Sequence, residues 1–148
     1  MSHTPRLAWL AAPVLMALSA CAALPGAPGA AGASAAAPLV GSEWRLEELG
    51  GRGVINGSQA TLAFPEPGRV AGNGSCNRFF GSYTLINDRI AFGQMGSTRM
   101  ACTGALAEQE SRYMAALQKA QRVQVQGSTL LLSVEGQDKP LRFSRTKP

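Results

Sequence analysis

The chain has 148 residues, a formal net charge of +5, 45% hydrophobic and 16% charged residues, and a single histidine, His3. This length holds one small domain with appendages. His3 lies in a stretch expected to be removed, so the remainder lacks the commonest general base, metal ligand and near-neutral pH switch.

Residues 1–20 read as an export signal: basic His3 and Arg6, an apolar run from Leu7 to Leu18, then the small residues Ser19 and Ala20. The run is shorter than the ~20 residues a bilayer span needs. Leu18-Ser19-Ala20-Cys21 resembles the bacterial lipobox, in which the cysteine is acylated and becomes the first residue after cleavage. Cys21 is then a lipid anchor, and two or more acyl chains hold a protein stably on a membrane. Alternatively the chain is secreted and Cys21 is a stray thiol. Ala22, where Asp is the usual inner-membrane retention signal, favours the outer membrane and a periplasm-facing domain. Residues 22–38 are Ala, Gly, Pro and Ser apart from Leu24, the composition of a flexible tether reaching roughly 20 to 25 Å.

The third segment, residues 39–148, is the folded domain. Trp44–Leu49 predicts a strand with Trp44 and Leu46 on its inner face, and Ala60–Phe64 a second, stopped by Pro65-Glu66-Pro67-Gly68. Arg69–Gly72 is a third and, after a glycine-rich corner, Gly81–Ile86 a fourth. Asn87-Asp88 turns the chain into a fifth, Arg89–Phe92. Gly93–Cys102 reads as a loop. Thr103 suits an N-cap, and Ala105–Ala120 places Leu106, Tyr113, Met114, Leu117 and Ala120 on one side of a helix. Arg122–Gln126, a Gly127-Ser128 turn, Thr129–Val134 and Leu141–Ser144 complete the pattern. The fold class is α+β: a curved antiparallel sheet or partly open barrel of about eight short strands with one covering helix.

Chemistry-bearing clusters are few. Removing Arg6 lowers the net charge from +5 to +4, carried mainly by scattered arginines without a Lys/Arg run. This argues against nucleic acid and leaves a solvated basic surface, or attraction to anionic envelope components, as the readings. A hydrolase lacks histidine and a Ser-x-x-Lys pattern. Glu47 and Glu48 are adjacent on a strand, so paired-carboxylate chemistry is disfavoured by their opposite facing. With Cys21 acylated, Cys76 and Cys102 remain, 26 residues apart. In an oxidising compartment this pair most simply forms a disulfide; the spacing is not Cys-x-x-Cys, and two thiols leave a zinc site half empty. No catalytic residue, cofactor or metal site is expected.

The segments Gly72-Asn73-Gly74-Ser75-Cys76-Asn77-Arg78-Phe79-Phe80-Gly81 and Thr98-Arg99-Met100-Ala101-Cys102, with Trp44-Arg45-Leu46, Glu110, Tyr113, Leu117 and Leu130-Leu131-Leu132, resemble the META domain, the family of the heat-shock protein HslJ. The resemblance implies a small β-rich fold in bacterial envelope proteins, often lipoproteins, associated with heat-shock induction, motility or secretion, and novobiocin resistance. It brings no agreed catalytic residue. The motif is read first as a tight corner stapled by the cysteines. The functional alternative gathers Asn77, Arg78, Thr98 and Arg99 on one rim for an anionic ligand. The expected protein is a monomeric, non-catalytic envelope lipoprotein in stress response or antibiotic resistance; a binder of a small apolar or anionic ligand, or of an envelope protein, is the alternative.

Overall fold

The computed structural model describes residues 39–147. The expected signal peptide, Cys21 anchor and tether lie outside the described residues. Among the described residues, ten strands and one helix run in the order β1 (Ser42–Leu49), β2 (Arg52–Gly53), β3 (Thr61–Glu66), β4 (Arg69–Asn73), β5 (Arg78–Ile86), β6 (Arg89–Phe92), β7 (Gly96–Ser97), α1 (Gly104–Gln118), β8 (Ala120–Gln126), β9 (Thr129–Val134) and β10 (Leu141–Lys147). The sheet runs β1-β3-β4-β5-β6-β8-β9-β10, and β10 pairs back onto β1, which closes an eight-stranded antiparallel barrel. The short β2 extends β1 as a hairpin, and β7 adds to β5. Closure leaves no free edge along the main circuit, the commonest liability of a small β protein.

Period-two alternation drives the architecture. Trp44 and Leu46, Leu62 and Phe64, Leu130 and Leu132, and Leu141 and Phe143 point inward and are buried. Each such side chain stabilises the fold by about 1.5–3 kcal/mol on area grounds. The helix adds Tyr113, Ala116 and Leu117 to the same core, where the Tyr113 ring lies 6.0 Å from Phe79 and 6.2 Å from Phe143. Trp44, Phe64, Tyr113, Leu117, Leu132 and Phe143 are all 0% exposed, so no water-sized space touches them. The barrel interior is filled rather than hollow there.

Both predicted two-residue turns are present. Asn87, at φ 58°, and Asp88 link Ile86 to its partner Arg89; Gly127, at φ 60°, and Ser128 link Gln126 to Thr129. Other boundaries differ for tertiary reasons. Strand β5 begins at Arg78 rather than Gly81, because Arg78 and Phe79 find partners in Asn73 and Gly72. Strand β10 runs three residues past Ser144 because β1 offers Trp44 and Glu43 as partners for Arg145 and Lys147. The helix ends at Gln118, since the Lys119 carbonyl accepts the Glu135 N–H and the chain enters β8. Thr103 occupies the N-cap position with extended backbone, but its side chain makes no capping hydrogen bond.

Strand β1 also corrects the reading of the paired glutamates. Its register against β10 slips between Leu46 and Glu48, leaving Glu47 as an extra residue. A bulge breaks strict alternation. Glu47 and Glu48 therefore line one outer groove together with Lys139 and Arg142. The Ser144 hydroxyl hydrogen bond lowers the Glu47 pKa, opposed by partial burial and aided by Arg45 and then Arg142. Glu48 lies 3.4 Å from Arg142. Both carboxylates thus have hydroxyl or guanidinium partners.

Candidate functional site

The motif folds into a corner between β4 and β5, and the helix grips it. Cys76 and Cys102 form a disulfide with Cα atoms 6.3 Å apart, tying the corner to the segment before α1. Glu110, from the second turn of α1, reaches in as an acceptor. Its Oε2 takes the backbone N–H groups of Cys76 (2.9 Å) and Asn77 (2.7 Å), and its Oε1 takes the Asn77 side-chain amide at 2.7 Å. Burial works to raise the Glu110 pKa. The bonds from the Asn77 backbone, the Asn77 side chain and the Cys76 backbone together outweigh it, and the carboxyl sits below its ordinary range.

Asn77 passes the connection on. Its Oδ1 accepts the Thr98 hydroxyl at 3.0 Å and the Met100 N–H at 2.7 Å. Thr98 Oγ1 in turn accepts the Arg78 N–H at 3.1 Å, and the Thr98 N–H donates to the Arg78 carbonyl at 2.9 Å. One asparagine therefore joins helix, corner and loop, using both ends of its amide.

Two glycines make room for this clasp. A Cβ on Gly74 would lie 2.6 Å from Glu110 Cγ, and one on Gly72 would lie 2.8 Å from Phe79 Cε1 and collide with the Thr61 carbonyl. Ser75, immediately after Gly74, adopts φ 101°, uncommon for a residue with a side chain. Asn73 Oδ1 accepts its N–H at 2.8 Å, and its Oγ accepts the Gln59 N–H at 3.1 Å, fixing that conformation.

Beside Glu110, Gln109 is only 2% exposed, a buried polar residue that the apolar periodicity of the helix could not reveal. It accepts the Ile55 N–H at 2.8 Å and donates to Ser58 Oγ at 2.7 Å. One turn on, the Tyr113 hydroxyl donates to the Thr61 carbonyl at 3.0 Å, and burial pushes the Tyr113 pKa well above its ordinary value. Gln109 thus meets the segment before β3, Tyr113 meets β3 itself and Glu110 meets the corner before β5.

Of the four rim residues, Asn77 and Thr98 come together and spend their side chains on each other and on the backbone. Arg78 contributes backbone to the clasp, while its exposed side chain lines an outer groove with Arg45, Glu43 and Asn73. Arg99 is exposed and pairs with neither Glu108 nor Glu110. No group of three or more His, Cys, Asp or Glu residues suited to a metal occurs among the described residues. No helix among them is long and apolar enough to cross a membrane.

Two proteins solved by NMR are among the known structures similar to this chain. One, described as the NMR structure of the protein from Burkholderia xenovorans, is 29% identical, with a TM-score of 0.62 over 74% of this chain and 85% of that one. Another protein solved by NMR is 25% identical, with a TM-score of 0.57 over 70% of this chain and 87% of that one. No curated protein matches the chain in sequence. The family model of the META domain matches residues 37–148, which include every strand, the helix and the clasp. The chain belongs to the META domain family.

Proposed function

We propose that this protein is a non-catalytic META lipoprotein, exported through residues 1–20, anchored by acylated Cys21 and displayed on the periplasmic side of the outer membrane. There it supports envelope stress response or antibiotic resistance. The observation that carries the non-catalytic part is the clasp itself. Asn77, Thr98 and Glu110, the polar side chains gathered at the motif, bond one another and the backbone. A general acid or base works best with a pKa near the working pH. Glu110 and Glu47 are shifted the other way, toward permanent ionisation.

The second reading, a binder of an envelope protein or a small anionic ligand, belongs on the outside of the barrel. The filled core favours it over an internal apolar ligand, and Arg78 and Arg99 keep exposed guanidinium groups. The experiment that tests the anchor is metabolic labelling with a palmitate analogue. Label is expected on the wild-type protein and absent from Cys21→Ser. Label that persists in the variant defeats the anchored reading.

A further inference from the structure

Around the barrel, charged residues face charged residues at four register positions among the described strands. Three are of opposite sign: Glu43 with Lys147, Glu48 with Arg142, and Glu66 with Arg69. The fourth sets Arg89 of β6 against Arg122 of β8. Like charges directly opposite destabilise a sheet. This pair sits where the cost matters most, because Arg89 with Arg122 is the one register position joining β6 to β8 and closing the barrel at that seam.

The geometry brings the two arginines close. The Val123 N–H donates to the Asp88 carbonyl at 2.8 Å, one of the bonds that bracket a narrow, non-hydrogen-bonded pair, whose Cα atoms stand about 4.5 Å apart. Their neighbours Ile90 and Val123 are buried, so alternation sends Arg89 and Arg122 outward together. Both line one surface depression together with Ile90, Ala120 and Gln121. Asp88 is the opposing charge, 3.8 Å from Arg122, too far for a good hydrogen bond. The Arg89 side chain has no hydrogen bond or ion pair among the described residues.

We propose that the β6–β8 seam binds a phosphate-type oxyanion, specifically a phosphomonoester, between the guanidinium groups of Arg89 and Arg122. Three terminal oxygens can accept from both planar forks at once, turning the repulsion at the seam into attraction. The seam is separate from the Asn77 clasp and does not depend on the lipid anchor. Two sources share this chemistry: a soluble phosphorylated sugar or metabolite, and a lipid headgroup ending in a phosphomonoester.

The test compares thermal midpoints of the purified full chain in inorganic phosphate and in chloride at matched ionic strength. The wild type is expected to gain a few degrees in phosphate. Arg89→Gln is expected to unfold at a higher temperature than wild type in chloride, having lost the repulsion, and to lose the phosphate shift. Asp88→Asn, which removes the competing carboxylate, is expected to enlarge the shift, and Arg99→Gln to leave it intact. Absence of a shift in wild type, a shift of equal size in Arg89→Gln, or a lower chloride midpoint in that variant overturns the proposal. Co-sedimentation with phosphatidic acid vesicles but not phosphatidylglycerol vesicles, lost in Arg89→Gln, assigns the lipid source. A phosphate shift without vesicle binding assigns the soluble one.

Discussion

Glu110 holds Asn77 at two points, its Oε2 on the backbone N–H and its Oε1 on the side-chain amide, both at 2.7 Å. The helix and the corner between β4 and β5 are thereby fixed to each other by a single carboxylate. Charge-assisted bonds of this kind contribute more than neutral ones. Glu110→Gln turns one acceptor into a donor facing donors, and the Asn77 amide cannot simply rotate because its Oδ1 already accepts from Thr98 and Met100. The expected loss is about 1–2 kcal/mol, moderated by partial exposure of the site, and urea unfolding measures it.

The same carboxylate makes the fold sensitive to acid. The folded pKa of Glu110 lies below its ordinary value of 4.5, so the unfolded chain takes up the proton first as pH falls. The stabilisation is complete above about 4.5 and is lost as pH drops through the folded pKa; Glu47 adds to it with the same sign. Tyr113 works at the other end. Its folded pKa is raised above 10.0, so its contribution is complete below that value and lost as pH climbs beyond it. Urea midpoints measured against pH should form a plateau between these limits, with a shallower acid limb in Glu110→Gln.

The corner glycines separate steric need from mere composition. Gly74→Ala drives a methyl into the Glu110 side chain, and Gly72→Ala drives one into Phe79 and the Thr61 carbonyl. Each is expected to cost about 1–3 kcal/mol, the range for overpacking a closed site. Gly53→Ala meets nothing within 4 Å and should change stability by less than about 0.5 kcal/mol. Thermal melts of the three variants make the comparison.

Loss of the disulfide should weaken the fold without abolishing it. For a separation of 26 residues the chain-entropy model gives about 3.5 kcal/mol. Cys76→Ser with Cys102→Ser is expected to lower stability by about that amount while the filled core keeps the barrel folded. Far-UV circular dichroism and denaturant midpoints, with and without reductant, check both parts.

Much of the barrel could be read along the chain because its signals are local. Alternation marked Trp44 and Leu46 as an inner face, and Asn87-Asp88 and Gly127-Ser128 announced their hairpins. Strand ends set by distant partners could not be read that way, which is why β10 outruns Ser144 and β5 starts at Arg78. The motif announced a corner and its pair of cysteines. It did not announce what fills the corner. Glu110 belongs to the family pattern, but by helical periodicity it and Gln109 look like ordinary solvent-facing residues, and only the docking of the helix turns them into acceptors for partly buried backbone N–H groups. The bulge at Glu47 was invisible for the same reason: an extra residue shows only against the register of β10.

The central claim is that the motif's polar residues form one mechanical unit, and a double-mutant cycle between Asn77 and Glu110 tests it most directly. Asn77→Ala, Glu110→Ala and the double variant are unfolded in denaturant under identical conditions. If the two residues serve each other, the double variant loses little more than either single one, with a coupling energy of about 1–2 kcal/mol. Losses that simply add, with no coupling, would contradict the account and return Asn77 to the candidates for a binding role.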